Sequence, residues 1–312
     1  LSAQELSNRG GQLVATGDQS TRVQVVGTLD NRDGGKLASN ADLNIRAGVL
    51  ENKEGEVLHA GSGHLDLYAA NLQGQQGHIA SNGTLNLRGT TTDLQQATTQ
   101  AQTISVETGT LNTARGTLLA TGGDALVLKA QDSIDNRDGM IIGNGHVQVQ
   151  AGALHNQGGT VSSAQTLSMD VQESLNNQGG KVLGVADVFI DAGTVDNREG
   201  GLLVSTDGGM EVRTQGRTEN ANGIVQGAAA TRLMNAGLGN AGGIVLGSRV
   251  DVHTQGASLD NAGGTIASTD GTLNLDSGAL NNAGGLLQSN KALRLDTHGQ
   301  ELINTGSGSA GG

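Results

Sequence analysis

Hydrophobic and polar residues alternate in short runs along the chain, and a similar run returns about every 21 residues. Each run contains two aliphatic residues separated by one other residue, as in Leu43/Ile45 and Leu65/Leu67. A period of two places successive side chains on opposite faces of a β-strand. The pattern therefore predicts short strands, each with one aliphatic face and joined to the next by a turn.

An Asn-centred phrase, apolar-x-Asn-x-x-Gly, separates these runs. It reads Leu-Asp-Asn-Arg-Asp-Gly-Gly around Asn31, Leu-Asn-Asn-Gln-Gly-Gly around Asn177 and Leu-Asn-Asn-Ala-Gly-Gly around Asn282. Asn tolerates a left-handed backbone and its amide bonds nearby backbone groups, so it suits a sharp corner between strands. Stacked amides can also form a hydrogen-bonded ladder. We interpret the following residues as structural turn positions: Asn8, Asn31, Asn52, Asn136, Asn156, Asn177, Asn197, Asn220, Asn240, Asn261, Asn282 and Asn304.

The register of the repeat weakens in the first half of the chain. Aligning the chain on the Asn series places Gly74, Gln96 and Thr113 where the other copies have Asn. Residues 89–117 are the most irregular part, with several Thr close together and a shortened interval. Loops carry binding functions more often than regular elements do. We expect any local binding feature in this stretch.

Repeats of this length predict a solenoid, in which each repeat needs only its neighbours to bury its apolar face. A helical solenoid is disfavoured because no unit has an apolar stripe of helical period and the Gly-Gly pairs weaken helices. We predict an all-β protein, a right-handed parallel β-helix of about 15 rungs with about 21 residues per rung. It would form a single domain over residues 1–304, irregular around 89–117, and a flexible Gly/Ser tail over 305–312.

The composition fits a narrow aliphatic interior. The chain has 52 Gly, one Tyr, one Phe and no Trp, Pro or Cys. A net charge of -12 would repel a phosphate backbone, so we expect no nucleic-acid partner. No run approaches the roughly 20 apolar residues that span a bilayer, so we expect no membrane insertion by this segment. Disulfide and thiol chemistry are excluded by the lack of Cys.

Residues suited to catalysis are scattered. A polysaccharide-cleaving site would need converging acids and several aromatic platforms, yet Tyr68 and Phe189 lie far apart in the chain. His59 and His64 share one repeat, but a surface position explains them better than a metal site. The calcium-binding Gly-Gly-x-Gly-x-Asp repeat is missing. We predict no catalytic, cofactor-binding or metal-binding residues, and no enzyme.

The quoted phrases, each followed by a Leu-x-Leu strand, resemble the haemagglutinin repeats of filamentous haemagglutinin and of contact-dependent growth inhibition exoproteins. The resemblance covers nearly all of residues 1–304. It implies a secreted Gram-negative surface protein, exported by two-partner secretion through an outer-membrane transporter and active in cell adhesion and virulence. Because the chain begins inside a repeat, we expect an interior part of a longer polypeptide.

The expected function is that of an elongated, surface-exposed shaft, which projects a binding or effector region of an adhesin or growth-inhibition exoprotein from the cell. One alternative is that the segment itself binds a host glycan or a receptor on a neighbouring cell. A remote alternative is a polysaccharide-cleaving β-helix enzyme. The expected partners are the outer-membrane transporter during export and a surface receptor or glycan.

Overall fold

The computed structural model describes residues 1–306 and contains only β-strands and turns within them. Most of the tail predicted over 305–312 lies outside the described residues. The strands fall into two compact units, Leu1–His155 with Gly159–Ser163, and Asn156–Gly158 with Ala164–Gly312. No helix in the described part is long and apolar enough to cross a membrane.

The first unit contains nineteen strands, and they have these bounds: β1 (Ser2–Ala3), β2 (Leu6–Ser7), β3 (Gln12–Ala15), β4 (Thr21–Val25), β5 (Thr28–Asp30), β6 (Lys36–Ser39), β7 (Leu43–Glu51), β8 (Glu56–His59), β9 (His64–Gln73), β10 (His78–Ser81), β11 (Thr84–Arg88), β12 (Thr91–Asp93), β13 (Thr98–Ala101), β14 (Thr103–Asn112), β15 (Thr117–Ala120), β16 (Leu126–Asp135), β17 (Met140–Gly143), β18 (Val147–His155) and β19 (Thr160–Ser163).

The second unit contains the remaining strands, which are β20 (Leu167–Asn176), β21 (Lys181–Gly184), β22 (Val188–Asp196), β23 (Leu202–Ser205), β24 (Met210–Thr214), β25 (Thr218–Glu219), β26 (Ile224–Gly227), β27 (Ala230–Met234), β28 (Leu238–Gly239), β29 (Ile244–Gly247), β30 (Arg249–His253), β31 (Leu259–Asp260), β32 (Thr265–Ser268), β33 (Leu273–Asp276), β34 (Leu280–Asn281), β35 (Leu286–Ser289), β36 (Leu293–Asp296) and β37 (Leu302–Ile303).

In the first unit each turn pairs in parallel with the equivalent strands of the next turn. The four-residue strands form one sheet, in which β6 pairs with β8 and β8 with β10. The remaining strands, of two to ten residues, form the other sheet, in which β7 pairs with β9 and β16 with β18. Aliphatic pairs such as Leu65/Leu67 and Val147/Val149 fill the interior and are at most 3 % exposed. Leu-x-Leu alternation therefore becomes one buried face of a stacked strand.

The second unit repeats this arrangement, with six strands in the equivalent short-strand sheet where the first unit has eight. Its interior is lined by residues such as Leu167, Met169, Val188 and Ile190, all nearly inaccessible. Both units are parallel β-solenoids, together about 14 turns spaced about 21 residues apart. The predicted all-β parallel solenoid is thereby confirmed.

The longer strand of each turn is continuous in some turns and divided in others. Ala69 and Ala151 occupy an inward position in the middle of the continuous strands β9 and β18. The equivalent residue at the end of β24 is Thr214, whose hydroxyl donates a hydrogen bond to the carbonyl of Gly216 at 2.8 Å. Thr254, after β30, bonds the carbonyl of Ala257 in the same way. Thr108, at the same inward position of the continuous strand β14, makes a similar bond to the carbonyl of Thr110 at 3.1 Å, so this bond alone does not end a strand.

The left-handed backbone predicted at Asn is found two residues later. Positive φ angles occur at Asp33 (55°) and Glu54 (55°), which follow Asn31 and Asn52 by two positions. Where the sequence has Gly-Gly, the first Gly takes this conformation, as Gly158 does after Asn156 and Gly179 after Asn177. Of the Asn residues in the described part, only Asn222 has a positive φ, and it is itself a second residue after a corner. The corner Asn therefore contributes its side-chain amide, and the left-handed backbone is supplied by the residue two positions later.

The alignment of Gln96 with the Asn series is wrong by two residues. Gln96 has a φ of 57°, as the residue two places after a corner does. Leu94 occupies the corner, because its N–H donates to Asn112 O at 2.7 Å and its carbonyl accepts from Ala97 N–H at 3.0 Å. These are the bonds of the other corners. The backbone remains regular here, although an apolar residue replaces Asn.

Candidate functional site

The corner Asn residues of the second unit form a continuous column of hydrogen-bonded amides. Asn197 donates through Nδ2 to Oδ1 of Asn220 at 2.7 Å, and Asn220 donates to Oδ1 of Asn240 at 2.7 Å. The same 2.7 Å bond joins each successive pair from Asn156 to Asn304. A second bond runs from Nδ2 of Asn220 to the carbonyl of Ile244 at 3.2 Å. Each amide thus holds the strand that leaves the next corner.

In the first unit the column is interrupted. Asn8, Asn31 and Asn52 are linked by 2.7 Å bonds, but the next corners are Gly74 and Leu94. The series resumes where the Thr113 hydroxyl donates to Oδ1 of Asn136 at 2.9 Å. A Cβ on Gly74 would lie 2.9 Å from Cδ2 of Leu94. The Leu94 side chain therefore occupies the space next to a corner that has no side chain.

Burial decides what these Asn residues can do. Asn31, Asn52, Asn136, Asn156 and their equivalents up to Asn261 are 0 % exposed, whereas Asn8, Asn282 and Asn304 at the ends are more accessible. A buried amide with engaged donors and acceptor stabilises a fold but cannot touch a ligand. The column positions the turns, and a functional surface must lie on outward residues.

Several corners carry an ion pair outside the amide. The Arg after the Asn folds back onto the Asp before it, with distances of 2.9 Å for Arg32–Asp30 and 2.7 Å for Arg198–Asp196. The hydrogen bond from Arg32 lowers the pKa of Asp30 below its usual range. Burial raises the pKa of Asp196, but the Arg198 guanidinium outweighs it and the pKa is lowered. These partly exposed surface pairs each contribute little stability and give the corner ridge a balanced charge.

Both aromatic side chains of the chain lie on the outer face of the longer strands. Tyr68 on β9 is 55 % exposed and Phe189 on β22 is 43 % exposed. The interior is filled without them, so neither ring is needed for the core. The sequence places both rings outward, since each occupies a polar position of the two-residue alternation. The exposure of both rings is therefore predictable from the alternation alone.

Tyr68 stands between two open depressions. One of about 370 Å³ is lined by Tyr68, Arg88 and Glu107 over a floor of small residues. The other, of about 220 Å³, lies toward Asn44 and Asp66. The guanidinium of Arg46 lies 5.8 Å from the centre of the Tyr68 ring, within range of a cation–π contact.

The surface position expected for His59 is wrong. His59 is 2 % exposed, and its Nδ1 lies 2.8 Å from the Ser81 hydroxyl. It ends a four-residue strand at a site where other turns carry the small buried residues Ser39 and Ser81. The recurrence of small residues there was the missed signal. Burial lowers the pKa of His59. His64, in the same repeat, is exposed.

A second His cluster lies in the second unit. Asp276 on β33 contacts His253 Nδ1 at 2.9 Å and His298 Nε2 at 2.6 Å. The hydrogen bond to Asp276 raises the pKa of His298 and lowers that of Asp276. Among the described residues no group of three or more His, Cys, Asp or Glu has the geometry to hold a metal ion. The cluster is an exposed, pH-sensitive ion pair.

The repeated turns, the aliphatic interior and the buried amide column define a parallel β-solenoid built from sequence repeats. The haemagglutinin repeat model matches residues 1–25, 14–66, 60–138, 108–169, 142–214 and 247–307, well over half of the chain. The chain therefore belongs to the haemagglutinin repeat family, of the filamentous haemagglutinin type. Comparison with curated proteins and with solved structures gave no match. Proteins with these repeats are structural, adhesin-type proteins that are typically secreted or found at the cell surface.

Proposed function

We propose that this chain forms part of an extended shaft that carries a binding or effector region away from a bacterial surface. The observation that carries the proposal is the stacking of haemagglutinin repeats as turns of a β-solenoid. Each turn satisfies its backbone through its neighbours, so turns can be added to extend the protein without a new core. Each turn adds about 4.8 Å along the stack.

The export route of the proposal is two-partner secretion through an outer-membrane transporter. A chain with no Cys can cross membranes unfolded without forming disulfides that block passage. A repeat fold also suits this route, because turns can stack one after another as the chain emerges. The proposed role is structural, with no catalytic step.

The location and the transporter are tested together on intact bacteria. Antibodies against this chain should label unlysed producing cells, and added protease should remove the label. Deleting the partner transporter should abolish surface labelling, while a periplasmic marker stays protected in both strains. Labelling that requires lysis, or that survives loss of the transporter, would contradict the proposal.

A spacer role is tested by exchanging turns. Residues 52–112 and residues 220–281 each span three turns from one corner to the next. Replacing 52–112 by a second copy of 220–281 keeps the number of turns and removes Tyr68 with its surroundings. A plain spacer predicts unchanged attachment to target cells. Loss of attachment, with surface labelling retained, favours the alternative in which this segment itself binds a glycan or receptor.

The proposal also concerns whether the region carried by the shaft is adhesive or toxic. Adhesins and contact-dependent inhibition exoproteins both use such repeats as a shaft, so either an adhesive or a toxic region fits. Purified surface extracts from producing cells should either agglutinate target cells or inhibit the growth of neighbours. An effect of neither kind would contradict the proposal that the shaft carries an adhesive or toxic region.

A further inference from the structure

Four successive turns of the second unit present an outer surface without charge, which we call the uncharged face. It lies on the short-strand sheet, over β26, β29, β32 and β35. Each of its segments runs from a corner Asn past the next short strand, and the four are 220–228, 240–248, 261–269 and 282–290. The chain contains 18 Lys and Arg and 30 Asp and Glu, yet none of these residues and no His falls within the four segments.

The uncharged face is aliphatic because of the strand alternation. In β26 and β29 the second and fourth residues are buried, whereas the first and third point outward. Ile224 pairs in register with Ile244, which is 37 % exposed, and Leu202 of β23 extends this outward row. The neighbouring outward row contains Val204, Gln226 and Leu246. Apolar side chains thus stand in contact with solvent on several adjacent strands.

The first unit shows that the fold does not require such a face. Its short strands carry Lys36, Glu56 and His78 in the corresponding outward row, and Lys36 forms an ion pair with Glu56 at 3.5 Å. At its corners Arg32 and Lys53 follow the Asn, whereas Ala follows the Asn in all four segments of the uncharged face. The same turn is therefore built with a charged outer surface in one unit and an apolar one in the other.

Three kinds of partner fit the uncharged face poorly. A lipid surface is bound through basic residues and aromatic anchors, and the four segments contain neither. A peptide that adds a strand needs an unpaired edge, but β26 and β29 are each paired on both sides. A charged partner would find no opposite charge on this face.

A second copy of the chain fits the uncharged face better. Two copies that each carry a net charge of -12 repel one another over most of their surface. On the uncharged face they can approach without like charges meeting, and they gain by burying aliphatic side chains. A two-fold axis would bring the same patch of both copies together.

The size of the face sets the strength of this association. Four turns about 4.8 Å apart, with about seven residues across at about 3.3 Å each, give a face of roughly 450 Å². Two copies would bury roughly 900 Å² in total, which is below the range of stable complexes and within that of transient ones. The expected association is weak and reversible.

We propose that this chain forms a weak two-fold dimer in which the uncharged faces of two second units pack against each other. The aliphatic rows of the two copies meet as the inner faces of a β-sandwich do, with the sheets about 10 Å apart. The inference goes beyond the shaft role, because it concerns contacts between copies. A shaft that acts singly would fulfil the shaft role without it.

Sedimentation velocity of the whole chain measures the association. Between about 1 and about 500 µM the average mass should rise from monomer towards dimer, with a dissociation constant on the order of 100 µM. Raising NaCl from about 20 to about 300 mM should tighten the pairing severalfold, because salt screens the repulsion between negatively charged copies. A monomer at every concentration, or an association that salt weakens, would overturn the proposal.

Two lysine substitutions test the face. Ile244→Lys places a charge on the uncharged face and should weaken pairing at least about tenfold, because like charges then meet across the interface. Thr98→Lys adds the same charge at the corresponding outward position of β13 in the first unit and should leave the dissociation constant unchanged. Circular dichroism confirms that both variants are folded. Equal dissociation constants for the two variants would overturn the assigned face.

Cross-linking locates the contact, since the chain has no Cys of its own. Gln226→Cys introduces a thiol on the uncharged face, and Gln100→Cys introduces one at the corresponding outward position of β13. A bis-maleimide with a spacer of about 10 Å should join Gln226→Cys copies into covalent dimers and leave Gln100→Cys copies monomeric. Equal yields of dimer from the two variants would overturn the proposal, while the surface-labelling result for the shaft would stand.

Discussion

The corner column of the second unit is an unbroken chain of amides, whereas that of the first unit is interrupted between Asn52 and Thr113. Both stretches nevertheless keep the same turn, with a backbone bond across the corner and a positive φ two residues after it. Asn is therefore not required at each corner. What every corner requires is an interior that is either fully hydrogen-bonded or fully apolar.

The interrupted part of the first unit, between Asn52 and Thr113, shows how an apolar corner is packed. Gly74 has no side chain, and Leu94 fills the adjoining space while remaining 2 % exposed. An apolar neighbour removes the need to satisfy an amide there. The cost is that the bond between Asn52 and the next corner is lost. Its Nδ2 keeps the bond to the carbonyl of Gly55 at 3.2 Å, which corners such as Asn177 and Asn220 also make with their own Gly.

The two stretches share one aliphatic interior pattern, so a buried charge should disrupt both alike. Val149→Asp in the first unit and Leu167→Asp in the second each place a carboxylate among residues that are nearly inaccessible. We expect each to lower the free energy of unfolding by more than about 4 kcal/mol. Urea denaturation followed by circular dichroism measures this. An unchanged midpoint for either variant would show that its side chain does not face inward.

Removing a corner side chain should cost more stability in the unbroken column of the second unit than at the edge of the interruption in the first. Asn220→Ala leaves the Asn197 donor and the Asn240 acceptor without their partners, and we expect a loss of about 2–4 kcal/mol. Thr113→Ala removes one hydroxyl bond to Asn136 and should cost about 1 kcal/mol. The same denaturation experiment compares them. Equal losses would mean that the continuous column adds nothing beyond single bonds.

Substitutions at Gly74 and Leu94 test whether the apolar corner is held by packing. Gly74→Ala places a Cβ close to Leu94 Cδ2 and should cost about 1 kcal/mol through overpacking. In a Leu94→Ala background the closest contact is removed and only the 3.3 Å approach to the carbonyl oxygen of Asp93 remains, so the cost should be smaller. A penalty for Gly74→Ala that is the same in both backgrounds would refute the packing explanation.

The dependence of stability on pH should have opposite signs in the two units. The pKa of His59 is lowered, so stability falls as pH drops below about 6.5, because the unfolded chain takes up a proton that the native state refuses. The pKa of His298 is raised, so its contribution is present below about 6.5 and is lost as pH rises through the folded-state value. Asp276, with a lowered pKa, keeps this pair intact until acid protonates it.

Two variants test these signs, and the effects should be the smallest of the series. His59→Ser, which restores the residue found in adjacent turns, should reduce acid sensitivity between pH 7 and 5. His298→Gln should remove the gain in stability over the same interval. Melting temperatures at each pH provide the measurement. A change of the same sign in both variants would contradict the assigned environments.

The sequence was sufficient to predict the solenoid, because the aliphatic alternation and the corner phrase recur often enough to define a strand and a turn. It misplaced the corner at Leu94, since an apolar residue there breaks the polar pattern that guided the alignment. Exposure of Tyr68 follows from its polar position in the alternation, whereas burial of His59 depends on Ser39 and Ser81, which stack on it in the adjacent turns. Such contacts lie about 21 residues apart and need the register of the strands.

The corner amides of the second unit are expected to act as one linked column. A double-mutant cycle on Asn220 and Asn240 measures this linkage, with Asn220→Ala, Asn240→Ala and both together compared by urea denaturation. The column predicts a coupling free energy of at least about 1 kcal/mol, because each single change already removes the shared bond. Losses that add within about 0.5 kcal/mol would contradict a linked column.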